Sequence, residues 1–148
     1  MITTVDVETS WQRNENGGYD PSPFHPDNIL VSVGINDEYY FTNHSERIDR
    51  GCAVKIQDTL NKTTLLVGHN IKFDLMWLLE SGFKYSGKVY DTMLGEYVLN
   101  RGVRKSLTLE MSCRRRKIGS KDSTIKEWTD RGIPFQNIPA DVVEEYGR

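Results

Sequence analysis

Apolar and polar positions alternate almost from the first residue. Residues 3–9 predict a short strand with Val5 and Val7 on one face and Asp6 and Glu8 on the other. The segment 11–28 is rich in Gly, Asn, Asp and Pro and predicts a long loop. Two β-prone runs, 29–34 and 39–42, flank Asn36-Asp37 and predict a hairpin. Residues 50–61 carry Ala53, Val54, Ile56, Gln57 and Leu60 at helical spacing, and 64–67 form a second apolar strand ended by Gly68. The stretch 71–81 is apolar nearly all round and predicts a buried helix closed by Gly82. A brief strand at 88–90 leads to Asp91, which fits the cap of a helix running to about Leu99. The remainder predicts helices at 107–117, at 124–131 and from Ala140 onward, after Pro139.

A strand, a hairpin, alternating helices and strands, and then helices alone imply an α/β fold. Its mixed sheet should be covered on both faces, with the first strand central. The chain has 148 residues, suited to one domain. No apolar run approaches membrane-spanning length, so a cytoplasmic protein that does not enter a membrane is expected. Cys52 and Cys113 lack C-x-x-C spacing and read as free thiols, and three scattered histidines make no zinc site.

Asp6 and Glu8 share a face of the central strand, where two carboxylates repel each other and lose hydration. A divalent cation is the simplest compensation, and two solvated acids at a strand end are the plain alternative. Asp74 lies among Phe73, Leu75, Met76, Trp77, Leu78 and Leu79, and a carboxylate in such company needs a partner. Asn70, four residues earlier on the same helical face, can offer its amide. Tyr146 shares a face with Val142 and Val143, as core tyrosines commonly do.

Taken in order, Asp6-Val7-Glu8, the run from Asn70 to Asp74 with Phe73, and Tyr146 resemble the three motifs of the tyrosine-bearing DEDD exonucleases. The resemblance is to proofreading domains of family A, phage-type DNA polymerases. The decapeptide Asp91-Thr92-Met93-Leu94-Gly95-Glu96-Tyr97-Val98-Leu99-Asn100 and the start Lys105-Ser106-Leu107 are similar to segments of the same domains. The resemblance implies a ribonuclease H-like fold, a five-stranded mixed sheet flanked by helices. It further implies 3′→5′ hydrolysis of single-stranded DNA ends with two Mg²⁺ or Mn²⁺ ions. In that scheme Asp6, Glu8 and Asp74 are the metal ligands and, with Tyr146, the catalytic set. Thr9, Trp11, Asn70, Phe73, Arg104 and Lys105 touch substrate, with Trp11 placed to stack on the terminal base. The final aspartate of the third motif would fall two residues past Arg148. The resemblance therefore implies a monomeric domain cut short and impaired, with a polymerase domain expected C-terminal to it. An RNA-trimming exonuclease and a non-catalytic nucleic-acid-binding module are the alternatives.

Charge adds one feature. The net charge is −2, yet residues 101–121 hold eight basic residues against Glu110 alone. The rest of the chain carries 11 basic and 20 acidic residues. A basic strip on an acidic body suits local contact with a phosphate backbone, or else a solvated helix face.

Overall fold

The computed structural model describes residues 1–101, 103, 105–119 and 124–147. The chain opens with β1 (Ile2–Thr9) and then makes a two-stranded ribbon of β2 (Gln12–Arg13) and β3 (Tyr19–Asp20). A hairpin of β4 (Leu30–Ile35) and β5 (Glu38–Phe41) follows, turning at Asn36 with φ 53°. Next come α1 (Cys52–Lys62), β6 (Leu65–Gly68), α2 (Ile71–Glu80) and β7 (Lys88–Asp91). The last third is helical: α3 (Thr92–Leu99), α4 (Leu109–Arg116), α5 (Thr124–Asp130), a 3₁₀ turn at Phe135–Asn137, and α6 (Ala140–Gly147).

The main sheet has five strands in the order β5-β4-β1-β6-β7. β1 is central, antiparallel to β4 and parallel to β6, and β7 continues the parallel half. This is the mixed sheet with a central first strand that the order of elements predicts. Both faces are covered, which is why every residue of β4 is buried. Val5 and Val7 pack with Ile56 and Leu60 of α1 and Trp77 and Leu78 of α2 in one apolar cluster. Tyr39 and Phe41 pack with Ile125, Phe135, Ile138 and Val143 in a second. Alternation along β5 divides Tyr39 and Phe41 from Tyr40, which joins the first cluster.

Four consecutive residues dock the C-terminal segment. The His44 ring meets the Ile138 carbonyl at 2.7 Å, and the Ser45 hydroxyl donates to the Gln136 carbonyl. The Glu46 carboxylate accepts from the Ala140 amide at 2.9 Å, placing an acid at the positive end of α6. Arg47 reaches Glu144 at 2.9 Å while also holding Asp49 at 2.8 Å.

Two expectations need correction. The segment 11–28 is not a plain loop, since it contains the β2–β3 ribbon. It is anchored by Trp77, whose indole N–H donates to the Pro21 carbonyl at 3.0 Å, and by Asn28, whose amide donates to the carbonyls of Asp20 and Ser22. The basic strip is not a uniform solvated face either. Glu96 is 6% exposed and accepts from Arg115 at 2.9 Å and Arg116 at 3.0 Å, so these two side chains tie α4 to α3. Their hydrogen bonds hold the Glu96 carboxyl below the usual carboxylate range.

Candidate functional site

The parallel strands β1, β6 and β7 end at one edge of the sheet, and each delivers acid there. Asp6 and Glu8 come from β1, Asp74 from the first turn of α2 just after β6, and Asp91 from the last position of β7. Gly68 closes β6 because the chain passes Val5 and Ile71 tightly there. A side chain at 68 would come within 2.6 Å of Ile71 and 3.2 Å of the Val5 carbonyl. That close passage brings the start of α2 against β1.

Asp74 is 3% exposed, and its Oδ1 accepts a hydrogen bond from the Val7 amide at 3.0 Å. The partner of this buried carboxylate is therefore the β1 backbone, not the Asn70 amide expected from sequence. Burial pushes its carboxyl up to about 7, and the negative charge of Asp6 adds to the rise. The Val7 N–H opposes the shift, and Asp91 raises it slightly further. Asp91 itself is held as a helix cap, as the sequence predicts. Its Oδ1 accepts from Met93 at 2.8 Å and from Asn70 at 3.0 Å.

On the other side of Asp6 stands Tyr39, its hydroxyl 2.7 Å from Ser32 Oγ. Burial drives the phenol above its ordinary range, and the charges of Glu8, Asp6 and Tyr146 raise it further. Asp6 thus acts on both the Asp74 carboxyl and the Tyr39 phenol. Tyr146 is half-buried, its ring 6.4 Å from that of Phe135. Gly147 lies so close to the Tyr39 ring that any side chain there would overlap it.

The other predicted residues differ in burial and conformation. Thr9 is buried, and Phe73 is half-buried against the first cluster. Asn70 is exposed and takes a left-handed conformation with φ 65° at the start of α2. Trp11 packs edge-to-face on Tyr19. Lys105 is exposed, while Arg104 lies outside the described residues. Sequence reasoning did not anticipate Tyr39 as a neighbour of the acids. Its signal was weak, a tyrosine pairing through Gly34 with the strand position of Asp6.

The donor set fits a hard cation by chemistry, since carboxylate oxygens suit Mg²⁺ or Mn²⁺. By geometry it fits only in part. Among the described residues, no group of three or more His, Cys, Asp or Glu side chains is arranged to hold one ion. The three acids expected as ligands, Asp6, Glu8 and Asp74, lie toward the same end of the sheet, and the charge of Asp6 acts on the Asp74 carboxyl. Mg²⁺ commonly takes only one or two protein carboxylates and completes its shell with water and phosphate oxygens, so a two-acid arrangement remains compatible with it.

Gly82-Phe83-Lys84-Tyr85-Ser86-Gly87-Lys88-Val89 matches the phosphate-loop pattern in all but its last position, where Val89 replaces a hydroxyl residue. This stretch runs from α2 into β7. A phosphate cradle needs the reverse context, a strand leading into a helix whose first amides face the ligand. The match therefore assembles no such cradle.

Thus far the residues define an α/β domain with acids gathered where its parallel strands end. No family model matches the chain. Over 78 residues, 52% of this chain, it is 36% identical to a protein named thymidine kinase from Acanthamoeba polyphaga mimivirus. The chain covers 33% of that relative's length. This likeness is to a protein named a kinase, and it contradicts the assignment to a DEDD proofreading exonuclease and with it the expected 3′→5′ nuclease activity. The physical reason for the miss lies in the motifs. D-x-E and N-x-x-F-D are short patterns, and any α/β domain with acids at its strand ends can present them in that order. No helix of the described residues is long and apolar enough to cross a membrane.

Proposed function

We propose that this domain supports divalent-cation-assisted phosphoryl transfer on a nucleoside or nucleotide. The observation that carries the reading is the Asp6–Asp74 pair. A buried acid is pinned to the β1 backbone, burial lifts its carboxyl to about 7, and the charge of Asp6 adds to the rise. Burying one acid beside another is unfavourable for the ionised form, and perturbed carboxyls of this kind cluster at working sites. A cation bound there would neutralise the pair and offset charge on phosphoryl oxygens. The chain's own part is positional. Val7 fixes one oxygen of Asp74, Asp91 fixes the start of α2 through the Asn70 amide, and Asp6 supplies a charge felt by both Asp74 and Tyr39.

The nucleotide side of the proposal is supported by the relative's name, and thymidine phosphorylation is the first reaction to assay. Because the chain covers a third of that relative, the parts that would hold a triphosphate need not lie within these residues. We further infer that the sheet is ribonuclease H-like. The support is the strand order, with an antiparallel β5-β4-β1 half joined to a parallel β6-β7 half.

The test has two parts. Mn²⁺ binding is followed by the relaxation of water protons, for the wild type and for Asp6→Asn and Asp74→Asn. Transfer of the terminal phosphate of ATP to thymidine is followed with Mg²⁺ present. Expected are Mn²⁺ binding weakened about tenfold or more in each variant and a Mg²⁺-dependent thymidine monophosphate product. Equal Mn²⁺ binding by all three proteins, with no product, refutes the proposal.

A further inference from the structure

Beyond the acids, the chain turns into a ribbon whose purpose the core does not explain. β2 and β3 are two residues each and contribute nothing to either apolar cluster. What the ribbon does is carry aromatic rings. Tyr19 opens β3 and is 55% exposed, and Trp11 lies just before β2. Their rings meet edge-to-face with centroids 4.2 Å apart. Arg13, the cross-strand partner of Tyr19, holds its guanidinium 5.9 Å from the Tyr19 centroid.

These rings form one wall of a cleft of about 400 Å³. Pro21 and the end of α5, Thr129 and Asp130, form the rest. The Thr129 hydroxyl is engaged by the carbonyls of Ile125 and Lys126, so the polar group that this wall offers a ligand is the Asp130 carboxylate. The occupant implied is flat, to lie on aromatic rings, and carries N–H donors, to meet a carboxylate. Its size is that of a nucleoside, within the usual range of small-ligand pockets. Arg13, its guanidinium 5.9 Å from the Tyr19 ring, supplies a positive charge for an attached phosphate.

We propose that the Trp11–Tyr19–Asp130 cleft binds the base of a nucleotide. The inference rests on the nucleotide reading above and extends it by naming where the base sits. Trp11 follows Glu8 by three residues, so a base held here and a phosphate near Asp6 lie on one continuous piece of chain.

The experiment uses two probes, thymidine 5′-monophosphate and deoxyribose 5-phosphate, which share sugar and phosphate and differ only in the base. Binding is measured by equilibrium dialysis in EDTA, so that no cation contributes. The wild type should prefer the base-bearing probe about tenfold or more, the range expected for stacking on an aromatic side chain. Tyr19→Ala and Trp11→Ala should bring that ratio close to one. Tyr19 is exposed outside the core, so its replacement leaves the fold intact, which an unchanged melting curve checks. Asp74→Asn should keep the preference, because the base cleft and the acid pair are separate groups. A preference retained in Asp74→Asn while Mn²⁺ binding fails everywhere would remove the acid site and leave the base cleft standing. A wild-type ratio near one, or a ratio unchanged in both aromatic variants, overturns the proposal.

Discussion

Asp74→Asn isolates the cost of burying an acid beside another acid. Asparagine keeps the size of the side chain and an oxygen that can accept from Val7 at 3.0 Å, and it replaces the ionisable oxygen by an uncharged NH₂ group. In the folded protein the Asp74 carboxyl stands at about 7 against an ordinary 3.8. The direction of the linkage follows from that. Below pH ~4 both folded and unfolded chains hold the proton, and nothing is lost. Between about 4 and 7 the unfolded chain ionises while the folded one does not, so stability falls as pH rises and levels off above 7. At about 1.4 kcal/mol per unit, the three-unit shift amounts to about 4 kcal/mol in total, of which roughly 2–3 kcal/mol falls between pH 5 and pH 8. Urea unfolding in EDTA, followed by tryptophan fluorescence at both pH values, should show the wild type losing that much more than Asp74→Asn. Adding Mn²⁺ at pH 8 should recover stability in the wild type and not in the variant, as binding to the folded state alone requires. If the two proteins change in parallel from pH 5 to pH 8, burial beside Asp6 is not costing the fold anything, and the argument for a site there collapses.

Three other outcomes follow from the packing. Gly147→Ala places a side chain into the Tyr39 ring and should cost about 1–3 kcal/mol in urea unfolding, with part of the loss recovered in a Tyr39→Leu background. Leu78→Ala, at a fully buried position in the first cluster, should cost about 2–5 kcal/mol by the same measurement. Arg115→Met should lower the melting temperature because it leaves Glu96 short of one of its two arginines, whereas Lys117→Gln, at an exposed position, should change stability by less than about 0.5 kcal/mol. Equal effects of Arg115→Met and Lys117→Gln would return the whole basic strip to a solvated face.

Period and turn chemistry made most of the elements legible. The two-residue alternation around Val5 and Val7, the helical spacing of Ile56 and Leu60, and the capping role of Asp91 are local properties, and each appears where the pattern places it. The β2–β3 ribbon was not legible, because two-residue strands set among Asn and Gly carry no period to detect. Nor was the burial of Glu96. Its neighbours Tyr97, Val98 and Leu99 are exposed, and only the arrival of α4 with Arg115 and Arg116 encloses it. That is a contact across about twenty residues, invisible to any window of one helix. The identity of the site was misread for a related reason: spacing records where acids fall on elements, not what they act upon.

Topology explains why these acids meet at all. β1 is the strand at which the sheet changes sense, antiparallel toward β4 and parallel toward β6. In open α/β sheets, ligands settle beyond the carboxyl ends of the strands near such a change, because connections leaving in different directions open a crevice there. Here the chain leaves β1 toward the ribbon, β6 toward α2 and β7 toward α3. Each departure places a polar device at the crevice: Asp6 and Glu8 before the ribbon, Asp74 in the first turn of α2, and Asp91 capping α3. Asp91 is satisfied by three backbone amides, so it serves the fold. Asp74 accepts from the Val7 amide and is lowered also by its own backbone amide, yet burial still raises its carboxyl to about 7, so the fold is poorly served by an ionised acid there. That difference between two acids on the same edge is what separates a capping residue from a candidate for chemistry. It also makes Asp74, more than the exposed Asp6, the residue whose replacement tells most about what the domain does.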